Sequence, residues 1–159
     1  MHSYRSTENM PVLLLFDATP ESLLRDAKDL IQITQDIWDN VIAANTVESA
    51  TFETLFVPII QDENKKSEKI RLLKFYAFTH PSKDLRDAST AASGLFADAE
   101  VELQLLNSMY ALANAAASKI NDDPNFDAES RHYVATFRRR LLQSGAALQQ
   151  EGRTRLAWR

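Results

Sequence analysis

Scarcity of chain breakers constrains this sequence most. Its 159 residues include only 3 Gly and 5 Pro, too few to supply the turns of a many-stranded β fold. Between the breakers, apolar residues recur at helical spacing. Leu23, Leu30 and Ile37 fall seven apart, accompanied by Leu24, Ala27, Ile31, Trp38, Val41 and Ile42, and together they make one long stripe. Thr19-Pro20-Glu21 reads as the start of this helix: a capping hydroxyl, a proline suited to the first turn, and an acid against the positive end of the dipole. The spacing predicts a helix from about 20 to 44, ended by Asn45 and Thr46.

Further on, Phe52, Leu55, Phe56 and Ile59 predict a short helix stopped near Pro58, and Gln61 to Lys66 reads as a loop or the opening turn of the next helix. Ile70, Leu72, Leu73, Phe75, Tyr76 and Phe78 predict an aromatic-rich helix ending near His80, because Pro81 disfavours a helical residue before it. Ser82 is expected to cap one long helix over about 83–120. At 1.5 Å per residue it reaches roughly 55 Å if unbroken, with Gly94 as its weak point. Asn121 to Asn125 forms a turn, Asp127 starts a further helix, Gly145 closes it, and Ala146 to Arg159 is a partial sixth segment. Val12 to Phe16 reads as a short extended piece. The expected fold is all-α, an antiparallel helical bundle of five to six helices. It forms one domain over 16–159, behind a flexible or extended N-terminus at 1–15.

Composition then narrows function. The absence of cysteine removes disulfide scaffolds, thiolate zinc sites and cysteine nucleophiles. The formal net charge of −4 is uneven: residues 1–118 carry 10 basic and 17 acidic groups, residues 119–159 carry 8 and 5. An acidic body with a mildly basic end is a poor partner for nucleic acid, where phosphate neutralisation supplies most of the affinity. The longest early apolar run, Val12 to Phe16, is far shorter than a spanning helix of about 20 residues. No membrane association is expected, and a cytoplasmic location is.

The search for chemistry returns little. His2 lies near the terminus and His80 in a helix-ending loop. His132 follows Glu129 by three residues, a spacing that carboxylate-bridged di-iron bundles use twice and that occurs here once. His-Glu-x-x-His, Gly-x-Ser-x-Gly and glycine-rich phosphate loops are absent. Arg138-Arg139-Arg140, with Arg131, is the densest basic cluster. Consecutive residues point about 100° apart, so these read as a solvated face and intramolecular partners. Trp38, Phe75, Tyr76, Phe78 and Tyr110 read as core. No catalytic residue, cofactor or metal is predicted.

Several segments carry a family resemblance. Lys83-Asp84-Leu85-Arg86-Asp87-Ala88-Ser89-Thr90-Ala91-Ala92 resembles a signature segment of the thimet oligopeptidase, neurolysin and saccharolysin family of zinc metallo-oligopeptidases, and is closest to its fungal members. Phe16 to Leu23, Glu48 to Thr54, Pro58 to Asn64, Asp127 to Arg131 and Ser144 to Leu148 are similar to other segments of that family, in the same order. The resemblance covers residues 12–156. It implies the N-terminal helical region of such an enzyme, one wall of a peptide channel. That family's zinc helix has no counterpart here, so no catalytic residue carries over and no peptidase activity is expected of this chain alone.

Three functions follow. The first is a non-catalytic, stand-alone or truncated helical domain of a metallo-oligopeptidase-like protein. The second is a repurposed helical domain with a small-molecule pocket, a binding protein or a cofactor-free biosynthetic enzyme, whose candidate groups are Trp38, Tyr76, His80, Arg86 and Tyr110. The third is a helical module that pairs with itself or with another protein through exposed apolar faces.

Overall fold

A computed structural model of the protein describes residues 18–124 and 126–148. The expected extended piece at 12–16, the N-terminal boundary near 15 and the sixth segment beyond Leu148 lie outside the described residues. Among the described residues the fold is all-helical. Helix α1 spans Pro20–Ala44, α2 Val57–Thr79, α3 Lys83–Gln104, α4 Asn107–Asp122 and α5 Ala128–Gln143, with a π-helical turn at Phe52–Phe56 leading into α2.

Local chemistry sets most of the ends. Thr19 accepts from the Ser22 amide while Ser22 accepts from the Thr19 amide, a reciprocal cap at the start of α1. Asp127 accepts from the Ser130 amide at 2.8 Å to start α5, and this bond holds its carboxyl below the usual range. Gly145 ends α5 with φ 91°, a left-handed conformation that costs a glycine little. Ser82 precedes α3 as expected, but its side chain makes no capping bond; its amide donates to His80 Nδ1 at 3.1 Å.

Pro58 does not stop a helix. It lies in the first turn of α2, where a missing N–H is tolerated. The proline has no amide to give the Thr54 carbonyl four residues back, and Asn45 fills that role. Its Nδ2 donates to Thr54 O at 3.2 Å and to Val41 O at 2.8 Å, while its Oδ1 accepts from Thr54 Oγ1 at 2.6 Å. The buried Asn45 therefore ends α1 and supports the π-turn at once, and Gln61 to Lys66 continues as helix.

The single helix expected over 83–120 is two. It runs unbroken through Gly94 and stops at Leu105–Leu106, where Leu106 turns to an extended ψ of 109°. Neither glycine nor proline causes the break. Leu103 and Leu106 both pack on one core cluster while the start of α3 packs on another, and a straight helix does not serve both.

These two clusters organise the interior. The first gathers Leu23 and Ala27 of α1, Leu73 and Tyr76 of α2, and Leu85, Ala88 and Ala92 of α3. The second is aromatic: Trp38, Phe56 and Phe137 at its centre, with Phe52, Phe126 and Tyr133 packed around them. Phe56 meets Phe137 edge-on at 5.4 Å between centroids, and Trp38 lies 5.7 Å from Phe137, both within the favourable range for ring pairs. Phe75 and Phe78, expected in the core, are 47% and 85% exposed; α2 turns Ile59, Asp62, Leu73 and Tyr76 inward instead. Lys119 of α4 ties the α1–α2 connection down by donating to Glu48 O and Ala50 O.

Candidate functional site

Where the two clusters meet, α1, α2, α3 and α5 leave a groove of about 240 Å³. Its walls are Leu30, Ile31 and Trp38 of α1, Ile70 of α2, Phe96, Ala99 and Leu103 of α3, and Phe137 and Leu141 of α5. Each helix presents these residues because a three- or four-residue step keeps a side chain on one face. Charge enters from Glu63, Lys66 and Lys74 of α2, Glu100 of α3 and Arg140 of α5.

A polar cluster lies on the α1–α2 side. Asp62 is 5% exposed. Its Oδ2 accepts from Lys66 Nζ at 2.6 Å and from Thr34 Oγ1 at 3.0 Å, and Lys66 Nζ also lies 2.7 Å from Thr34 Oγ1. Such burial is tolerable because the ion pair is also hydrogen-bonded. Beside it, the Tyr133 hydroxyl donates to Glu63 Oε2 at 3.3 Å. Burial, and then the Glu63 carboxylate, raise the Tyr133 hydroxyl well above the ordinary phenol range, so it stays a neutral donor. On α3, Glu100 accepts from Gln104 Nε2 at 2.8 Å, and Gln104 Oε1 accepts from Ser144 Oγ.

Of the five residues singled out from the sequence, Trp38 lines this groove and the other four do not. Tyr76 and His80 pack together at 5.7 Å between rings near the α2–α3 connection. Arg86 donates to the carbonyls of His80 and Pro81 at 2.8 and 2.7 Å. Tyr110 packs against the aromatic cluster. Thr34, Asp62 and Lys66 went unnoticed in the sequence. The available signal was a polar pair four residues apart on the same α2 face as Ile59 and Leu73.

The arginine-rich stretch separates by helix face. Arg138 Nε donates to Asn114 Oδ1 at 2.7 Å, Arg139 is exposed and Arg140 reaches the groove. Arg131 closes the end of α4 by donating to the carbonyls of Ile120, Asp123 and Phe126. His132 is exposed, and among the described residues no three His, Asp or Glu side chains gather as a metal site would require. No helix of the described residues is long and apolar enough to cross a membrane.

The segment Lys83 to Ala92 works in packing. Leu85, Ala88, Ser89 and Ala92 face inward. The fully buried Ser89 hydroxyl donates to Leu73 O at 2.5 Å and accepts from the Ala77 amide at 3.0 Å, so it grips the backbone of α2 one turn apart. With Arg86 pinning the connection, the segment fixes how α3 lies on α2.

The described residues form an all-helical unit, and the sequence is similar to part of two oligopeptidases. Two curated proteins of Diaporthe leptostromiformis are similar to it. Oligopeptidase PhomG' is 45% identical over 140 residues, covering 87% of this chain and 12% of the relative. Oligopeptidase PhomG is 37% identical over 140 residues, covering 87% of this chain and 17% of the relative. The chain therefore spans less than a fifth of either relative. No family model matches it.

Proposed function

We propose that this chain acts as a non-catalytic helical domain of an oligopeptidase-like protein, a scaffold in which the segment Lys83 to Ala92 serves packing. The observation that carries this reading is the use of Arg86 and Ser89: both side chains are committed to backbone groups of the α2–α3 hairpin. The similarity to a small part of two oligopeptidases supports it, and hydrolysis by a zinc enzyme needs ligands that this sequence does not supply as a motif. The test is an assay of the purified chain on a quenched fluorogenic peptide library with added zinc. No turnover above buffer is expected. Cleavage that follows the protein through purification and disappears with a chelator overturns the reading.

A second reading rests on Phe78, which is 85% exposed one turn from Phe75, itself 47% exposed. Adjacent exposed aromatics on one helix favour association with another protein or a second copy. Sedimentation of the chain beside its Phe78→Ser variant tests this: loss of a concentration-dependent species in the variant supports association, and identical monomers up to high concentration remove the case for self-pairing.

A further inference from the structure

Charge around the groove cancels. Lys66, Lys74 and Arg140 are matched by Glu63, Glu100 and the buried Asp62. Lys66 is held by Asp62 at 2.6 Å, while Glu63 accepts from Tyr133 and Glu100 from Gln104. Among the described residues no buried side-chain nitrogen or oxygen lacks a hydrogen-bond partner. An ion of either sign therefore meets no unbalanced counter-charge, and a strongly polar ligand finds no buried group waiting for it. Neither recovers the hydration it gives up. The surface left for a ligand is apolar: the rings of Trp38, Phe96 and Phe137, together with Leu30, Ile70 and Leu141.

We propose that the groove binds a small, neutral, two-ring aromatic molecule against Trp38, Phe96 and Phe137. Size sets the number of rings. At about 240 Å³ the space is about 1.6 times the roughly 150 Å³ apolar cavity that admits benzene, enough for a second fused ring. The three aromatic walls set the preference for a flat guest, because ring pairs gain more than the area they bury. The balanced charges set the preference for a neutral one.

The test titrates 2-naphthylmethanol into the full chain. It is followed by amide chemical shifts and by the indole N–H signal of Trp38, which Trp158→Phe identifies. 2-Naphthoate, 2-naphthylmethylammonium and 2-decalinmethanol serve as anionic, cationic and saturated counterparts. Both ions are expected to bind about tenfold more weakly than the aromatic alcohol, and the saturated alcohol several-fold more weakly. Lys74→Gln with Arg140→Gln, both at exposed positions, should leave the neutral compound within about twofold and strengthen the ammonium compound, because the acids are then in excess. Ala99→Phe, on the α3 wall, should fill the groove and remove binding, while Ala99→Ser keeps the space and should retain it. An ion or the saturated alcohol binding as tightly as 2-naphthylmethanol, or binding that survives Ala99→Phe, overturns the proposal. So does affinity that falls as protein concentration rises (a second copy seated in the groove), or no saturable change up to the solubility limit. The peptide-cleavage assay bears on none of these outcomes.

Discussion

The two core clusters are held by different means. In the first, Leu23 and Ala27 pack with Leu85, Ala88 and Ala92, and the backbone bonds of Ser89 and Arg86 fix α3 against α2. In the second, the rings of Trp38, Phe56 and Phe137 meet at the centre and specify the fit by shape, in one cluster with Ala113, Ala116 and Ala117 of α4. The polar bonds of Asn45, Lys119 and Arg131 lie at helix ends and connections around those rings. The groove lies at the seam, where Phe96 of the first cluster's rim faces Trp38 and Phe137 of the second.

Substitutions can break this contrast. The largest effect is expected from Phe137→Ala, which removes the ring shared by Trp38, Phe56 and Tyr133. Loss of about 3–5 kcal/mol should appear as a large fall in the urea midpoint; a loss below about 1 kcal/mol would refute a shape-specified cluster. Asp62→Ala should cost about 2–3 kcal/mol by leaving Lys66 without its carboxylate. The Asp62→Asn, Lys66→Gln double variant should cost less, as a double-mutant cycle would reveal. Ser89→Ala should cost about 1–2 kcal/mol, since Leu73 O loses a donor and the Ala77 amide an acceptor in a dry interface. Equal damage from Ser89→Ala and Ala88→Gly would show that its hydroxyl carries no special role.

Two smaller effects sharpen the picture. A Cβ added at Gly94 meets nothing within 4 Å, so Gly94→Ala should stabilise α3 by about 0.5–1 kcal/mol, read as a modest rise in Tm. Tyr133 is expected to govern an alkaline limb. Its pKa in the folded chain is raised above the ordinary 10.0, so folding favours the neutral phenol. The resulting stability is complete below the unfolded value and is lost as pH rises above it. Tyr133→Phe should therefore lose less stability between about pH 8 and about pH 11 than the parent chain.

Legibility in the sequence followed the range of the interaction. Thr19, Asp127 and Gly145 were readable because a cap is decided within a few residues. The role of Pro58 was not, because the group that relieves the Thr54 carbonyl comes from Asn45, nine residues earlier. The Leu105–Leu106 break was hidden for a similar reason: Asn107-Ser108 is only a weak local signal without glycine or proline, and the buried apolar residues of α3 and α4 pack on two separate clusters. Trp38 could be placed inside from its stripe, but the groove beside it needs side chains from four helices. The exposed Phe75 and Phe78 mark the limit of composition as a guide, since α2 is apolar on more than one face.

The break at Leu105–Leu106 also changes how the chain can reach its fold. Helix growth is limited by a costly first turn and is fast thereafter. One continuous helix would need a single nucleus and would couple both clusters from the outset. Two helices joined by an extended Leu106 have two nuclei, so α3 can form with α1 and α2 while α4 forms independently beside α5. Helix α1 reaches both clusters, through Leu23 and Ala27 to one and Trp38 and Val41 to the other, and the groove lies where it runs past α2, α3 and α5.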